Sequence, residues 1–303
     1  MSLWLPYALG AALLASFNPI VVKRLLRDTD VTVVAWAGQA FALPLLGLTL
    51  VAFFGPLPRV DGMFLVGIAG SAGLNAAAHL AVTRAYKDAD ASLVSPLLAV
   101  SPAVTLLVSA FTLREIPAPL PIAGVGLVIL GAYLLNLRST RDFAEPLREL
   151  LRNRWRGDMA RSAHGRPLLL ALFAGLLWGL TPVFEKTAIR HTFPENSTAA
   201  AFGASLALAL ALLPVMLWRA RQPFKQIRTR ARGFLLLGLI GGIAPLMGYA
   251  AFSLGPVGYV SALFKLSAVF TLAWAYWLLR ERDLPRRLQG ALIMLAGAAL
   301  IGA

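Results

Sequence analysis

A chain of 303 residues that is 58% hydrophobic and only 14% charged, with a mean hydropathy of +0.73, carries far more apolar surface than one water-soluble core requires, and reads as an integral membrane protein. Its 28 Lys+Arg against 14 Asp+Glu give a formal charge of +14, but the basic residues fall in short tracts between apolar runs, a pattern of membrane orientation and not of nucleic-acid binding. The absence of cysteine excludes disulfides, thiolate metal sites, Fe–S clusters and a cysteine nucleophile.

A hydrocarbon core about 30 Å thick takes roughly 20 helical residues, and ten stretches meet that length. They are expected near 3–22, 31–54, 62–83, 91–113, 120–137, 167–187, 198–218, 234–254, 257–279 and 287–302. The first follows no positively charged region and is too long for a signal-peptide core, so it reads as a retained span. Barrel strands would alternate in polarity over about ten residues, and a bilayer tolerates no open sheet. The expected fold class is therefore all-α, with ten transmembrane helices.

The only large loop, 138–166, separates a first half (1–137) from a second (167–303). It holds eight arginines and no lysine, with Phe143, Leu147, Leu150, Leu151 and Trp155 at helical spacing behind the cap-like pair Glu145-Pro146. Residues 146–156 read either as an interfacial amphipathic helix among anionic headgroups or as part of a solvated basic linker.

The halves repeat each other. Asn18-Pro19-Ile20-Val21-Val22-Lys23 answers Thr181-Pro182-Val183-Phe184-Glu185-Lys186. Val94-Ser95, Leu97, Ser101, Thr105 and Arg114-Glu115 answer Val260-Ser261, Leu263, Ser267, Thr271 and Arg280-Glu281 at identical spacing, and Gly124 and Gly131 answer Gly290 and Gly297. Each half has five spans, an odd number, so the second half is expected to enter the membrane from the opposite side. Two inverted five-helix repeats around a central cavity are the architecture of many secondary transporters.

The residues that carry the repeat also resemble a family. Ten spans, a lysine ending the first and sixth, Ser95-Pro96 followed by Leu113-Arg114-Glu115-Ile116-Pro117, and Leu278-Leu279-Arg280-Glu281-Arg282 before Gly290-Ala291-Leu292-Ile293-Met294 are similar to the EamA branch of the drug/metabolite transporter superfamily. The resemblance covers nearly the whole chain and implies a basket-like bundle. In it, helices one to four and six to nine line a central cavity and the fifth and tenth lie at the periphery. That branch includes exporters of amino acids and metabolites. The glycine spacing of the fifth and tenth helices fits close packing within the chain or against a second copy, so a monomer and a homodimer are both open.

Loops after odd-numbered spans carry 23 basic residues and the opposite side shows Arg59, Arg114 and Arg190. Positive loops stay cytoplasmic, so both termini are expected outside a bacterial or archaeal inner membrane. The resemblance implies the reverse, because several superfamily members keep both termini inside. The imbalance of 23 basic residues to 3 outweighs that implication.

An ionisable side chain in hydrocarbon costs about 2.5–3.5 kcal/mol on insertion scales, so each needs a partner or a task. Lys265 lies roughly 12 Å into the ninth span at 1.5 Å per residue, and its repeat counterpart is Ala99. It is a candidate ligand for a carboxylate or phosphate of the solute, against the alternative of snorkelling outward. Glu185 is the one carboxylate placed inside a span. With Lys186 it forms a candidate coupling pair, against plain interfacial solvation. Asn75, His79 and Thr83 share a helix face, as do Tyr249 and Ser253. Trp36 with Gln39, Trp178 and Ser261 complete the candidate solute-binding set, and helix-to-helix contact is the alternative for each. Pro19 and Pro182, matched in the repeat, are the hinge candidates among Pro44, Pro96, Pro102 and Pro245. Trp4, Trp218 and Trp277 are expected to anchor span ends at the interface.

No Walker sequence, HExxH, GxSxG or paired carboxylate appears, so neither ATP-driven pumping nor hydrolase chemistry has residues to carry it, and no cofactor, metal or enzymatic activity is expected. The reading is a secondary permease of small metabolites working by alternating access, an exporter or exchanger of an amphipathic or anionic solute. A lipid or lipid-linked sugar flippase is one alternative. A non-transporting scaffold or sensor that uses the Arg-rich loop is the other.

Overall fold

The computed structural model describes residues 3–54, 57–137, 148, 165–279 and 284–303. The linker segment 146–156, apart from the backbone of Arg148, and Arg280-Glu281-Arg282 lie outside them.

Among the described residues, nine helical segments are long and apolar enough to cross a membrane: Trp4–Leu25, Val31–Phe53, Gly62–Asp88, Leu93–Thr112, Pro119–Asn136, Arg166–Arg190, Ser197–Arg219, Ala231–Leu254 and Val257–Trp274. A tenth apolar helix, Arg287–Gly302, is shorter, since arginines 286 and 287 stand where its first turn would otherwise be apolar. These are numbered one to ten in chain order. Segments three and six run to Asp88 and Arg190, past the expected 83 and 187. Lys and Arg are good helix formers, and the helix does not stop where its apolarity does.

Four segments are interrupted. Segment one divides into Trp4–Ala15 and Asn18–Leu25, segment two into Val31–Ala40 and Leu43–Phe54, segment four into Ala91–Leu98 and Ser101–Thr112, and segment nine into Val257–Phe264 and Ser267–Leu279. At the first three breaks the helix restarts with a proline in its first turn: Pro19, Pro44 and Pro102. There the ring's fixed φ and missing N–H are tolerated. Segment nine breaks at Lys265–Leu266 without a proline. That position matches Ala99–Val100 of segment four in the repeat. Thr105 donates to the Ser101 carbonyl (3.0 Å) and its counterpart Thr271 to the Ser267 carbonyl (2.8 Å), so the local fold after both breaks is alike. Pro182 and Pro245 lie inside unbroken helices.

The chain forms two compact units, residues 1–73 with 184–255 and residues 74–183 with 256–303. Each draws on both halves of the sequence. In the first, Val21, Leu25, Val33, Ala37, Met216, Phe234 and Leu237 pack together from segments one, two, seven and eight. Two strands tie loops at one end: β1 (Arg59–Val60) pairs antiparallel with β2 (Thr192–Phe193). Beside them Asp61 Oδ1 accepts from the N–H groups of Met63 (2.9 Å) and Phe64 (3.1 Å), and Asp61 Oδ2 meets His191 Nδ1 at 2.8 Å. The loop before segment three is thereby clasped to the loop after segment six. A second clasp joins the loop after segment one to the loop after segment seven. Gln226 exchanges two hydrogen bonds with Asp30 (2.6 and 2.8 Å) and Arg230 pairs with Asp28. Trp4 is buried, with its ring over Gly255, and Trp218 is 82% exposed.

In the second unit, Ala78, Ala81, Val82 and Ala85 of segment three pack with Val94, Ala171, Ala174 and Leu177. Segments five and ten meet along a glycine seam. A Cβ on Gly124 would sit 2.6 Å from the Gly297 carbonyl oxygen, and one on Gly131 would sit 2.5 Å from that of Gly290. The glycine spacing therefore serves contact within the chain.

Gly131→Ala should cost about 1–3 kcal/mol, the usual penalty of overpacking. Gly126→Ala, whose new methyl meets nothing within 4 Å, should be neutral or mildly stabilising; thermal unfolding in detergent compares the two. The hydrogen bond from His191, aided by the N–H groups of Phe64 and Met63, holds Asp61 below the ordinary carboxylate value. A depressed folded value means that the stabilisation is complete above the unfolded value and lost as pH falls through the folded one. Amide exchange at Met63 and Phe64 should then accelerate beyond its intrinsic rate on acidification below about pH 4, and Asp61→Asn should abolish that dependence.

Candidate functional site

Lys265 caps the first half of segment nine and forms part of the break itself, with φ −64° and ψ −20°. Its backbone N–H reaches the Ala262 carbonyl at 3.0 Å and its carbonyl accepts from Ala268 at 3.1 Å. These short-range bonds replace the regular ladder. The side chain is half-buried, and among the described residues its ammonium has no carboxylate or carbonyl partner. A cation in an apolar segment, at a turn where the helical ladder gives way to tighter three-residue bonds, is a ready ligand for an anion.

The preceding half of segment nine is held from several sides. Glu115 Oε2 accepts from the Val257 N–H at 2.8 Å, supplying an acceptor to the first turn of the helix. The Tyr259 hydroxyl accepts from the Ala118 N–H at 2.8 Å. Ser261 is buried, with its hydroxyl 3.3 Å from that of Thr105, which also donates to the Gly179 carbonyl at 2.8 Å. Thr105 therefore joins segment four to segments six and nine. Gly179 leaves room for this, since a Cβ there would stand 2.5 Å from Val104.

On segment three of the same unit His79 is exposed, its ring edge-on to Trp178 with centroids 5.4 Å apart and planes at 79°. Asn75 is half-buried one turn earlier, and Thr83 folds back to the His79 carbonyl at 2.7 Å. The expected polar face thus becomes a His79–Trp178 pair with Asn75 above it. Pro182 belongs to this unit and Pro19 to the first.

The first unit contains the other candidates. Glu185 lies more than a helical turn inside segment six, half-buried, and not at its end as expected. Ser71 of segment three donates to its Oε1 at 3.1 Å, and the Tyr249 hydroxyl interacts with both groups. Lys186 turns elsewhere. It is buried and donates to the Gly255 carbonyl at 2.7 Å, at the end of segment eight, where a cation complements the helix dipole. The neighbouring pair is therefore split between two tasks. Trp36 packs partly against the first unit's core and Gln39 is half-buried beside it. Tyr249 and Ser253, expected on one wall, part company: Tyr249 joins Glu185, and Ser253 donates to Glu195 at 2.9 Å.

The roles of Ser71 and Glu115 escape a reading of the sequence. Ser71 sits in a run of small residues with nothing local to mark it, and its partner is 114 positions away. Glu115 belongs to a legible motif, but the N–H it serves is 142 positions distant. Among the described residues no three His, Asp or Glu side chains gather as a metal site.

Compared with known proteins, residues 2–137 and 165–303 each match the EamA-like transporter family. No curated protein matches the chain. A solved structure titled only "Crystal structure of protein" is similar at a TM-score of 0.76, with 16% identity over 99% of this chain and 98% of that one, a likeness of fold alone.

Removing the carboxylate that serves the start of segment nine should be felt there first. Glu115→Ala should destabilise by about 1 kcal/mol, the usual effect of losing a helix N-terminal acceptor. Hydrogen exchange at Val257, compared with an unaffected amide in segment eight, checks it.

Proposed function

We propose that this chain, which belongs to the EamA-like transporter family, is a secondary transporter that moves a small anionic or amphipathic metabolite across a bacterial or archaeal inner membrane. The observation that carries the reading is the break of segment nine at Lys265, with a cation free of protein partners among the described residues. Broken helices place polar backbone and charged side chains at membrane depth, where transporters bind their cargo. Lys265 engages the carboxylate or phosphate of the solute, while His79, Trp178 and Asn75 supply a hydrogen-bonding and stacking surface on the same unit.

Transport by alternating access draws on an inverted repeat. Three observations support one: the family matches twice, the breaks of segments four and nine fall at matched positions, and the clasps put repeat-equivalent loops at different places. The loop after segment one is tied to the loop after segment seven, whereas its counterpart after segment six is tied to the loop before segment three. The charge count puts the Asp28, Asp30, Gln226 and Arg230 clasp on the cytoplasmic side and both termini outside. Export or exchange is the direction of choice, following the resemblance to metabolite exporters. Pro19, at a helix restart, is the better hinge, and Pro182 acts inside a continuous helix.

A ligand that binds only the folded protein raises its melting temperature, by the equivalent of about 2.7 kcal/mol at 100 times its dissociation constant. Organic acids or sugar phosphates should shift the purified protein upward, and Lys265→Gln should lose the shift while keeping its unliganded melting temperature. Counterflow of the same solute in proteoliposomes should fall in parallel. Hits confined to neutral or cationic solutes, or an anionic hit indifferent to Lys265→Gln, would sink the assignment.

A further inference from the structure

We propose that Glu185, Ser71 and Tyr249 form a proton-binding site within the membrane, with the Glu185 carboxylate as the group that takes up and releases the proton. The use of that proton to drive solute movement rests on the transport reading above; the site itself does not.

Three features of its geometry point to this chemistry. The carboxylate is on segment six, five residues before Arg190, which places it roughly 7 Å inside the helix end at 1.5 Å per residue. Its chain neighbour Lys186 is committed to the Gly255 carbonyl at 2.7 Å. Side chains one residue apart on a helix point about 100° apart, and among the described residues no Lys, Arg or His pairs with Glu185. The charge is therefore left without a counter-ion that would fix it in the ionised form.

The groups that face Glu185 are hydroxyls, Ser71 from segment three and Tyr249 from segment eight. Segment three approaches closely because Gly67 and Gly70 leave no side chain in the way: a Cβ at Gly67 would be 2.8 Å from the Ala188 nitrogen, and one at Gly70 would be 2.3 Å from the Phe184 ring. A hydroxyl both donates and accepts. Ser71 donates to the carboxylate at 3.1 Å and the Tyr249 hydroxyl interacts with both groups; a hydroxyl accepts from the carboxylic acid after a rotation of its O–H bond, so both protonation states are satisfied without displacing a heavy atom. An arginine or amide partner would favour one state alone. The step is simple in balance: a proton from water adds to one carboxylate oxygen, forming one O–H bond, and release breaks that same bond. No electron changes hands.

The test is an infrared pH titration of the full-length protein in lipid, in the carboxylic C=O region, which needs no solute. One protonated-carboxyl band per chain should appear and disappear with pH, be lost in Glu185→Gln, persist in Glu185→Asp, and shift in frequency in Ser71→Ala and Tyr249→Phe. Should Glu185→Gln fail to fold, the two hydroxyl variants decide the matter, since a band unmoved in both removes the site. Identical titrations of wild type and Glu185→Gln overturn the proposal. A band that responds to sodium chloride at constant pH overturns it as well, in favour of an alkali cation. A solute screen that finds nothing leaves the infrared result intact, so failure of the transport reading and failure of the proton site are told apart.

Discussion

Hydrocarbon gives a bare peptide group nothing to bond with, and this constraint accounts for most of what distinguishes the chain from a plain set of apolar rods. Wherever a helix starts, stops or breaks, partners must be found within the protein. At the breaks of segments one, two and four a proline stands in the new first turn and removes a donor that would otherwise be orphaned. At the start of segment nine the donor is retained and a carboxylate is brought to it from 142 residues earlier. Short-range bonds around Lys265 carry the chain across the remaining gap.

The same solvent removes the usual reason for helices to associate, since lipid is as apolar as leucine. What holds each unit together internally is accordingly close contact and hydroxyl bonding. Glycines 124, 131, 290 and 297 bring backbones against one another, Thr105 bridges to Gly179 and Ser261, and Ser71 reaches Glu185. Large apolar side chains such as Phe53 and Phe111 turn outward, as they should when the exterior is oil.

Much of this was legible in the sequence. The apolar runs point to ten segments, and among the described residues nine of them are long enough to span while the tenth is shorter, because length and apolarity are what a bilayer demands of a helix. The glycine spacing in segments five and ten announces their contact, though not that it is made within the chain. Lys265 stands out by its charge alone. What escaped was anything decided by direction: that Lys186 turns from Glu185 toward Gly255, that Tyr249 and Ser253 part company, that Trp4 is buried. Periodicity says which residues share a face, but not which helix lies opposite, and that choice rests on contacts between residues dozens to hundreds of positions apart. The breaks are legible only in part. Pro19, Pro44 and Pro102 mark three of them, yet Pro182 and Pro245 sit in helices that continue, and segment nine parts with no proline present.

The glycine seam also bears on how the protein is made. Segment five ends at Asn136 and the helix that covers its glycines begins at Leu284, so at about 5–20 residues per second the ribosome needs roughly 7–30 s to deliver the cover. Throughout that interval Gly124 and Gly131 present bare backbone to lipid or to another nascent chain. Because the four glycines admit backbone where any side chain would collide, slippage of the seam by one residue is blocked, and the late-arriving helix has one register in which to dock. Segment ten, made well after segment five, is thus the helix that completes the seam of the second unit, and a chain truncated before Leu284 would leave that seam without its partner.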